Sequence, residues 1–179
     1  MLFRSGAFRN WGYELAAEEF VGQVVCEGED CCPPGRLVLK DRIADAMFQE
    51  VLIRPEQYDV IATTNLNGDY LSDALAAQVG GLGLAPGVNM SSRLAFFEPT
   101  HGTAPSIAGK DLANPGSLVL SGALMFDHLG WHEAANKVRS AVGRAIALKK
   151  VTVDLASQIE GASQVGCKEF GDILVQFLE

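Results

Sequence analysis

Long hydrophobic runs, clusters of basic residues and paired-cysteine motifs are missing from this sequence, and each absence removes a class of function. No apolar stretch approaches the ~20 residues that a membrane-spanning helix requires. The opening, MLFRSGAFRNWGYE, has neither the apolar centre nor the small-residue cleavage site of a signal peptide. A soluble protein of the cytoplasm, with no membrane partner, is the expectation. The 22 acidic residues outnumber 14 Lys and Arg, giving a net charge of −8. No local basic cluster offsets the repulsion this would create against a phosphate backbone, so nucleic acid is not an expected partner. Cys26, Cys31, Cys32 and Cys167 offer no CxxC and have no His nearby. Free thiols are expected, rather than a disulfide framework or a thiolate metal site. There is no GxGxxG, no internal repeat and no low-complexity tract.

What is present reads as an ordinary globular α/β chain, long enough at 179 residues for a sizeable core. GYELAAEEF (12–20) has helical propensity, and 21–25 is a short apolar run that suits a strand. The Pro and Gly of EGEDCCPPGR (27–36) predict a loop before the strand LVLK. In DRIADAMFQEVLI, Ile43, Met47 and Val51 recur at four-residue steps, the pattern of an amphipathic helix ending before Pro55. YDVIATT (58–64) has the character of a buried strand, NLNG of a turn, and a helix is predicted from about Asp69 until the glycines of VGGLGLAPG. A strand at LAFF leads into a loop rich in Gly, Pro, Thr and Asn. Helices are predicted over 117–128 and 133–148, an extended VTVD follows, and 168–178 forms a last helix packed by Phe170, Ile173, Leu174 and Phe177.

Two features could carry chemistry. Asp69 and Asp73 stand at i and i+4, so on a helix their carboxylates share one face with β-carbons about 6 Å apart. They could hold a hard divalent cation, for which oxygen-only ligands select. Equally, Asp69 could favour a positive helix N-terminus and Asp73 a solvated face. Asp45 lies between two alanines in an otherwise apolar helix, where it could be a surface residue or part of a site. The loop THGTAPSIAGKDLANPG is the second candidate: its small residues would let a ligand approach backbone amides that can receive phosphate or ribose oxygens. It could also be an irregular connection with a capping His101.

These stretches carry a resemblance. NLNGDYLSDALAAQVGGLGLAPG and FFEPTHGTAPSIAGKDLANPGSLVLSGALM resemble the C-terminal half of the isocitrate/isopropylmalate dehydrogenase family, whose members also include homoisocitrate dehydrogenases. The similarity runs from GAFRNWGYELAAEEF through KDRIADAMFQEVLIRPEQYDVIA to VTVDLA and CKEFGDIL. NWGYELAAEEF and WHEAA favour the isocitrate branch over the isopropylmalate one, with an isopropylmalate or homoisocitrate dehydrogenase fragment as an alternative. The resemblance implies that fold, in part, with residues 1–79 in a small, dimer-forming and metal-binding domain and 80–179 in the larger cofactor-binding domain. It implies oxidation of isocitrate by NAD(P) with loss of CO₂, assisted by Mg²⁺ or Mn²⁺. Asp69 and Asp73 would be metal ligands from one subunit, and Asp45 would reach into the site of a partner copy. His101, Gly102, Thr103, Ala104, Pro105, Ser106 and Ile107, with Asn114 and Asp154, would hold the adenosine end of the dinucleotide, with Gly83 and Glu98 alongside.

The resemblance also places Ser106, Ile107, Val153 and Ser157 where NADP-preferring relatives carry Lys, Tyr, Tyr and Arg. None of the four is basic, which favours NAD, with NADP still usable. The family's catalytic lysine and tyrosine, and its Ser, Asn and Arg substrate clamp, fall upstream of this stretch and have no counterpart among these residues. The expectation is a C-terminal portion that needs a complementary N-terminal half or a homodimer partner, exposes apolar surface in 80–179, and is inactive alone. A dimerising or regulatory remnant of the family is the alternative. A Mg²⁺-dependent hydrolase lacks any nominated base.

Overall fold

The computed structural model describes residues 2–3, 6–28 and 34–178, with the side chains of 2 and 3 excepted. The expected loop at 27–36 is described only in part, and Cys31 and Cys32 lie outside the described residues; Cys26 and Cys167 are free thiols. Helices and mostly parallel strand pairs alternate, an α/β architecture. The chain divides into two compact units, Met1–Leu75 and Ala76–Glu179. Among the described residues no helix is long and apolar enough to cross a membrane.

In the first unit, β1 (Leu2–Phe3) precedes α1 (Gly6–Glu19), β2 (Val24–Cys26), β3 (Leu37–Leu39), β4 (Asp41–Arg42) and α2 (Ala44–Ile53). β1 pairs with β4 and β2 with β3, both parallel, with Val24 opposite Leu37. The four-residue steps on α2 do bury Met47 and Val51, against Leu71 of α3 (Asn65–Gln78), with Phe48, Tyr58, Ile61 and Leu75 packed around them. Ile43 instead sits just outside the helix, in extended backbone, and is exposed. Two expectations fail here. The stretch 58–64 forms no strand and holds only an isolated bridge at Ala62. NLNG is not a turn, because α3 already begins at Asn65; Asp69 therefore lies in its second turn rather than at a cap.

A polar network ties these elements together. Arg42 of β4 meets Glu27 with both terminal nitrogens, one of them donating to Oε1 at 2.6 Å, and its Nε reaches Glu50 of α2 at 3.2 Å. Hydrogen bonding from Arg42 holds the Glu27 carboxyl below its ordinary range. Tyr58 donates to the same Glu50 carboxylate. On the neighbouring strand residue, Asp41 pairs with Arg9 at 3.1 Å and accepts the Tyr13 hydroxyl at 2.8 Å.

The second unit starts as α3 runs out, where Gly80 and Gly81 take positive φ and Gly81 N–H closes back on Ala76 at 2.8 Å. β5 (Pro86–Met90) and β6 (Ala95–Pro99) form an antiparallel pair with Val88 opposite Phe97. β5 was not anticipated, because its PGVNM sequence lacks strand composition. α4 (Gly116–His128) and α5 (His132–Ala147) follow as expected. Of VTVD, only Val151 joins the short β7 (Lys150–Val151), while the next residues turn into α6 (Val153–Ala156). β7 pairs in parallel with an unforeseen β8 (Ser163–Gln164) before α7 (Cys167–Gln176). Phe170, Ile173 and Leu174 of α7 form a core with Ala141, Val142 and Ala145 of α5, Val151, Leu155 and Val165; Phe177 packs at its margin.

Two fully buried serines dock α4 on the β5–β6 pair. Ser117 Oγ accepts the Thr100 N–H at 3.2 Å and donates to Ala85 O at 2.5 Å. Ser121 Oγ accepts the Gly87 N–H at 3.1 Å, and its proton is shared between Glu98 O at 2.7 Å and Ser117 O at 2.8 Å. The apolar surface expected in this unit is present, with Met90 57%, Leu94 79% and Phe96 62% exposed on the hairpin.

Ser121→Ala should destabilise the protein by about 1 kcal/mol, since it removes the hydrogen bonds of a buried hydroxyl to the part-buried Gly87 N–H and Glu98 carbonyl; urea denaturation measures it. Burial, then the bond to Asp41, pushes the Tyr13 hydroxyl from 10.0 up to about 12. A raised folded-state value gives stability that is complete below the unfolded value and is lost as pH rises through the folded one. Stability should thus decline between pH 10.0 and about 12, and Tyr13→Phe should remove that part of the decline, as followed by alkaline titration of tyrosinate absorbance and unfolding.

Candidate functional site

The acidic residues come first in chain order. Asp69 and Asp73 both lie on α3 and are exposed, and neither forms a salt bridge among the described residues. Their i, i+4 spacing leaves both carboxylates on one side of the helix. Asp45 is exposed in the first turn of α2, where its Oδ1 accepts the Ala46 N–H at 2.7 Å. No three acidic, His or Cys side chains among the described residues come together as one metal-binding group, so a single chain does not gather Asp45 with the other two. The donor set remains chemically suited to a hard cation, being carboxylate oxygen throughout.

The second unit holds a cavity of about 620 Å³. Of the residues anticipated around a dinucleotide, Gly83, His101, Gly102, Thr103, Ala104, Ile107, Asn114, Val153 and Asp154 line it. Glu98, Pro105, Ser106 and Ser157 do not. Glu98 faces outward on β6 and accepts from Asn89 at 2.8 Å, and Ser157 donates to Asp154 O at 2.8 Å. Pro105 and Ser106 lie in a short 3-10 turn, Pro105–Ile107, whose Ile107 alone lines the cavity. Asp111, Leu112, Ala113, Ala108 and Gly109 complete the loop side. They stood within a stretch already marked as a candidate, and only their individual roles were unread. Cys167 arrives from α7, brought by packing, and nothing near it in sequence pointed to the site.

One side of the cavity is a rigid polar shelf. Buried Thr152 donates to Asp154 Oδ1 at 2.6 Å, Asn114 Nδ2 donates to Asp154 Oδ2 at 2.9 Å, and Asn114 Oδ1 accepts the Gly116 N–H at 2.8 Å. This chain fixes which lone pairs of Asp154 remain for a ligand. Gly83 is tight against it: a Cβ there would sit 2.7 Å from Asp154 Oδ2 and 2.9 Å from Asn114. At Gly102, by contrast, a Cβ would meet nothing within 4 Å, so the loop backbone is open to a ligand. Ala104 takes left-handed backbone, φ 43°, immediately before Pro105, an arrangement that costs a non-glycine residue roughly 1–2 kcal/mol. His101 does not cap a helix; its Nδ1 bonds Gly102 O at 2.9 Å, which requires the proton on that nitrogen because a carbonyl only accepts. Among the described residues, the lining includes Asp111 and Asp154 and no Lys or Arg.

A sequence profile of the family described as isocitrate/isopropylmalate dehydrogenase matches residues 15–174. The chain is 52% identical over 180 residues to isocitrate dehydrogenase [NADP] of Pseudomonas aeruginosa, covering 98% of this chain and 43% of that protein. It is 50% identical over 181 residues to isocitrate dehydrogenase [NADP] of Helicobacter pylori, with coverage of 98% and 43%. Its fold matches a crystal structure of isocitrate dehydrogenase from Methylococcus capsulatus with a TM-score of 0.79 and 36% identity, over 97% of this chain and 46% of that one. The chain thus spans less than half the length of these relatives.

Proposed function

The chain belongs to the isocitrate/isopropylmalate dehydrogenase family, and from that premise we propose that it is the C-terminal portion of a metal-dependent decarboxylating isocitrate dehydrogenase. One observation carries the reading: the loop of His101–Ile107 and the Thr152–Asp154–Asn114 shelf enclose one cavity whose backbone at Gly102 is open to a ligand. That is a surface for the adenosine part of a dinucleotide, with the fixed Asp154 carboxylate available to ribose hydroxyls and loop amides available to phosphate.

Asp69 and Asp73 from one copy and Asp45 from another would hold Mg²⁺ or Mn²⁺. A dication held there would supply Lewis-acid chemistry, polarising a substrate hydroxyl and stabilising the negative charge that decarboxylation leaves. The protein's own part would be to present these carboxylates from the helices α2 and α3. The proton-transfer groups and the substrate clamp would come from a complementary N-terminal portion, consistent with the exposed Met90, Leu94 and Phe96, which such a portion would cover.

For the cofactor, NAD is favoured, with NADP still usable. The relatives compared carry NADP in their names, but here Ser106, Ile107, Val153 and Ser157 offer no cation to a 2′-phosphate, and among the described residues the cavity lining includes no Lys or Arg.

The direct test is to incubate the chain with isocitrate, Mn²⁺ and NAD or NADP, with and without the N-terminal portion of a relative, and follow the absorbance of the reduced nicotinamide. Turnover only in the mixture is expected; none in either case would favour a non-catalytic remnant. Asp69→Asn should weaken Mn²⁺ binding on the order of tenfold or more by removing one anionic ligand, and unchanged affinity in a calorimetric titration would refute the metal role. Ser106→Lys with Ile107→Tyr should raise NADP affinity roughly tenfold through a charge-assisted bond to the 2′-phosphate. A flat response in equilibrium dialysis would mean that the loop does not meet the 2′ position.

A further inference from the structure

Asp111 has no part in the reading above, yet the chain holds it in an unusual way. Its φ is 54°, a left-handed conformation that Asp tolerates better than most non-glycine residues. From there it meets the first turn of α7, remote in sequence, with two acceptors. Its carbonyl accepts the Cys167 N–H at 2.9 Å and its Oδ1 accepts the Lys168 N–H at 2.9 Å. Those amides are among the four that a helix cannot satisfy from within. The residue at the helix's own N-cap, Gly166, brings no side chain to satisfy them, so the cap is supplied by the loop. Gly166 also leaves the space that the contact needs: a Cβ there would lie 2.1 Å from Asp111 Oδ2. Asp111 and Cys167 both line the dinucleotide cavity, which makes this contact part of its wall.

Among the described residues, the loop's other hydrogen bonds to the rest of the fold lie near its ends, from the Thr100 N–H to Ser117 and from Asn114 to Asp154 and Gly116. We propose that Asp111 is a positioning residue that pins the middle of this loop to α7, so that releasing the pin loosens the cavity wall and weakens dinucleotide binding although Asp111 need not touch the ligand. The binding half of this inference rests on the dinucleotide reading; the pin itself does not.

The experiment is residue-resolved amide hydrogen exchange on the full chain, paired with calorimetric titration of NAD, for Asp111→Ala, Asp111→Asn and Gly166→Ala, with circular dichroism to verify folding. Asp111→Ala should speed exchange at the Cys167 and Lys168 amides and across residues 101–110 roughly tenfold, as expected for a lost hydrogen bond. It should also weaken NAD binding several-fold. Asp111→Asn keeps a carbonyl acceptor and the same backbone tolerance, so it should behave like the unaltered chain in both assays. Gly166→Ala, which leaves Asp111 in place but obstructs its approach, should reproduce the loosening and decides the matter if Asp111→Ala does not fold. Unchanged exchange in a folded Asp111→Ala, or an Asp111→Asn as loose as the alanine variant, overturns the pin. A loosened loop with unaltered NAD affinity overturns its positioning role. An unaltered chain that binds no NAD overturns the dinucleotide reading alone and leaves the pin to be judged on exchange.

Discussion

Two hydroxyl groups with no access to solvent, those of Ser117 and Ser121, are the contacts on which the second unit's architecture turns. They stand one helical turn apart on α4 and bond backbone groups at Ala85, Gly87, Glu98 and Thr100. A helix usually docks on strands through apolar side chains, which are tolerant of small shifts. Here hydrogen bonds set the docking, and a displacement of an ångström would break several at once. The result is that the end of β6 and the start of α4 are held together, and the loop between them leaves from and returns to nearly the same point. Its geometry at both ends is inherited from the helix.

The first unit solves a similar problem with charge. Arg42 stands between Glu27 and Glu50, joining the segment after β2 to α2, and the guanidinium can serve two carboxylates because its donors fan out in a plane. α2 begins immediately after this junction, and Asp45 lies in its first turn. An ion network of this kind adds little stability where it is exposed to solvent. Its contribution is directional, since it limits how α2 can rotate about the strand that precedes it and so where the Asp45 carboxylate points.

Much of this was legible in the residues. Where periodicity was strong, as in α2, α5 and α7, the helices followed from spacing; Met47 and Val51 of α2 and Phe170, Ile173 and Leu174 of α7 pack as that spacing requires, while Ile43 falls outside α2. The failures have identifiable causes. Asn65 to Gly68 carry turn chemistry, but Asn and Gly lose out when an adjoining amphipathic stretch extends the helix backwards through them. The apolar stretch at 58–64 has strand composition, yet composition does not supply a ladder. β5 has the reverse character: Pro and Gly argue against a strand, and pairing with β6 imposes one. At the cavity, the loop residues stood out by their small size and turn propensity, whereas the approach of Cys167 and the role of Asp111 depend on α7 folding back from far along the chain, which no local pattern encodes.

The left-handed backbone of Ala104 bears on how this loop could be used outside the protein. An alanine ahead of a proline has no inclination of its own toward that conformation, so the shape is imposed by the surroundings. A synthetic peptide copying residues 100–115 would relax to extended forms and lose this shape, and grafting the segment onto another scaffold would preserve it only if the host rebuilt the anchoring hydroxyls and amides along with it.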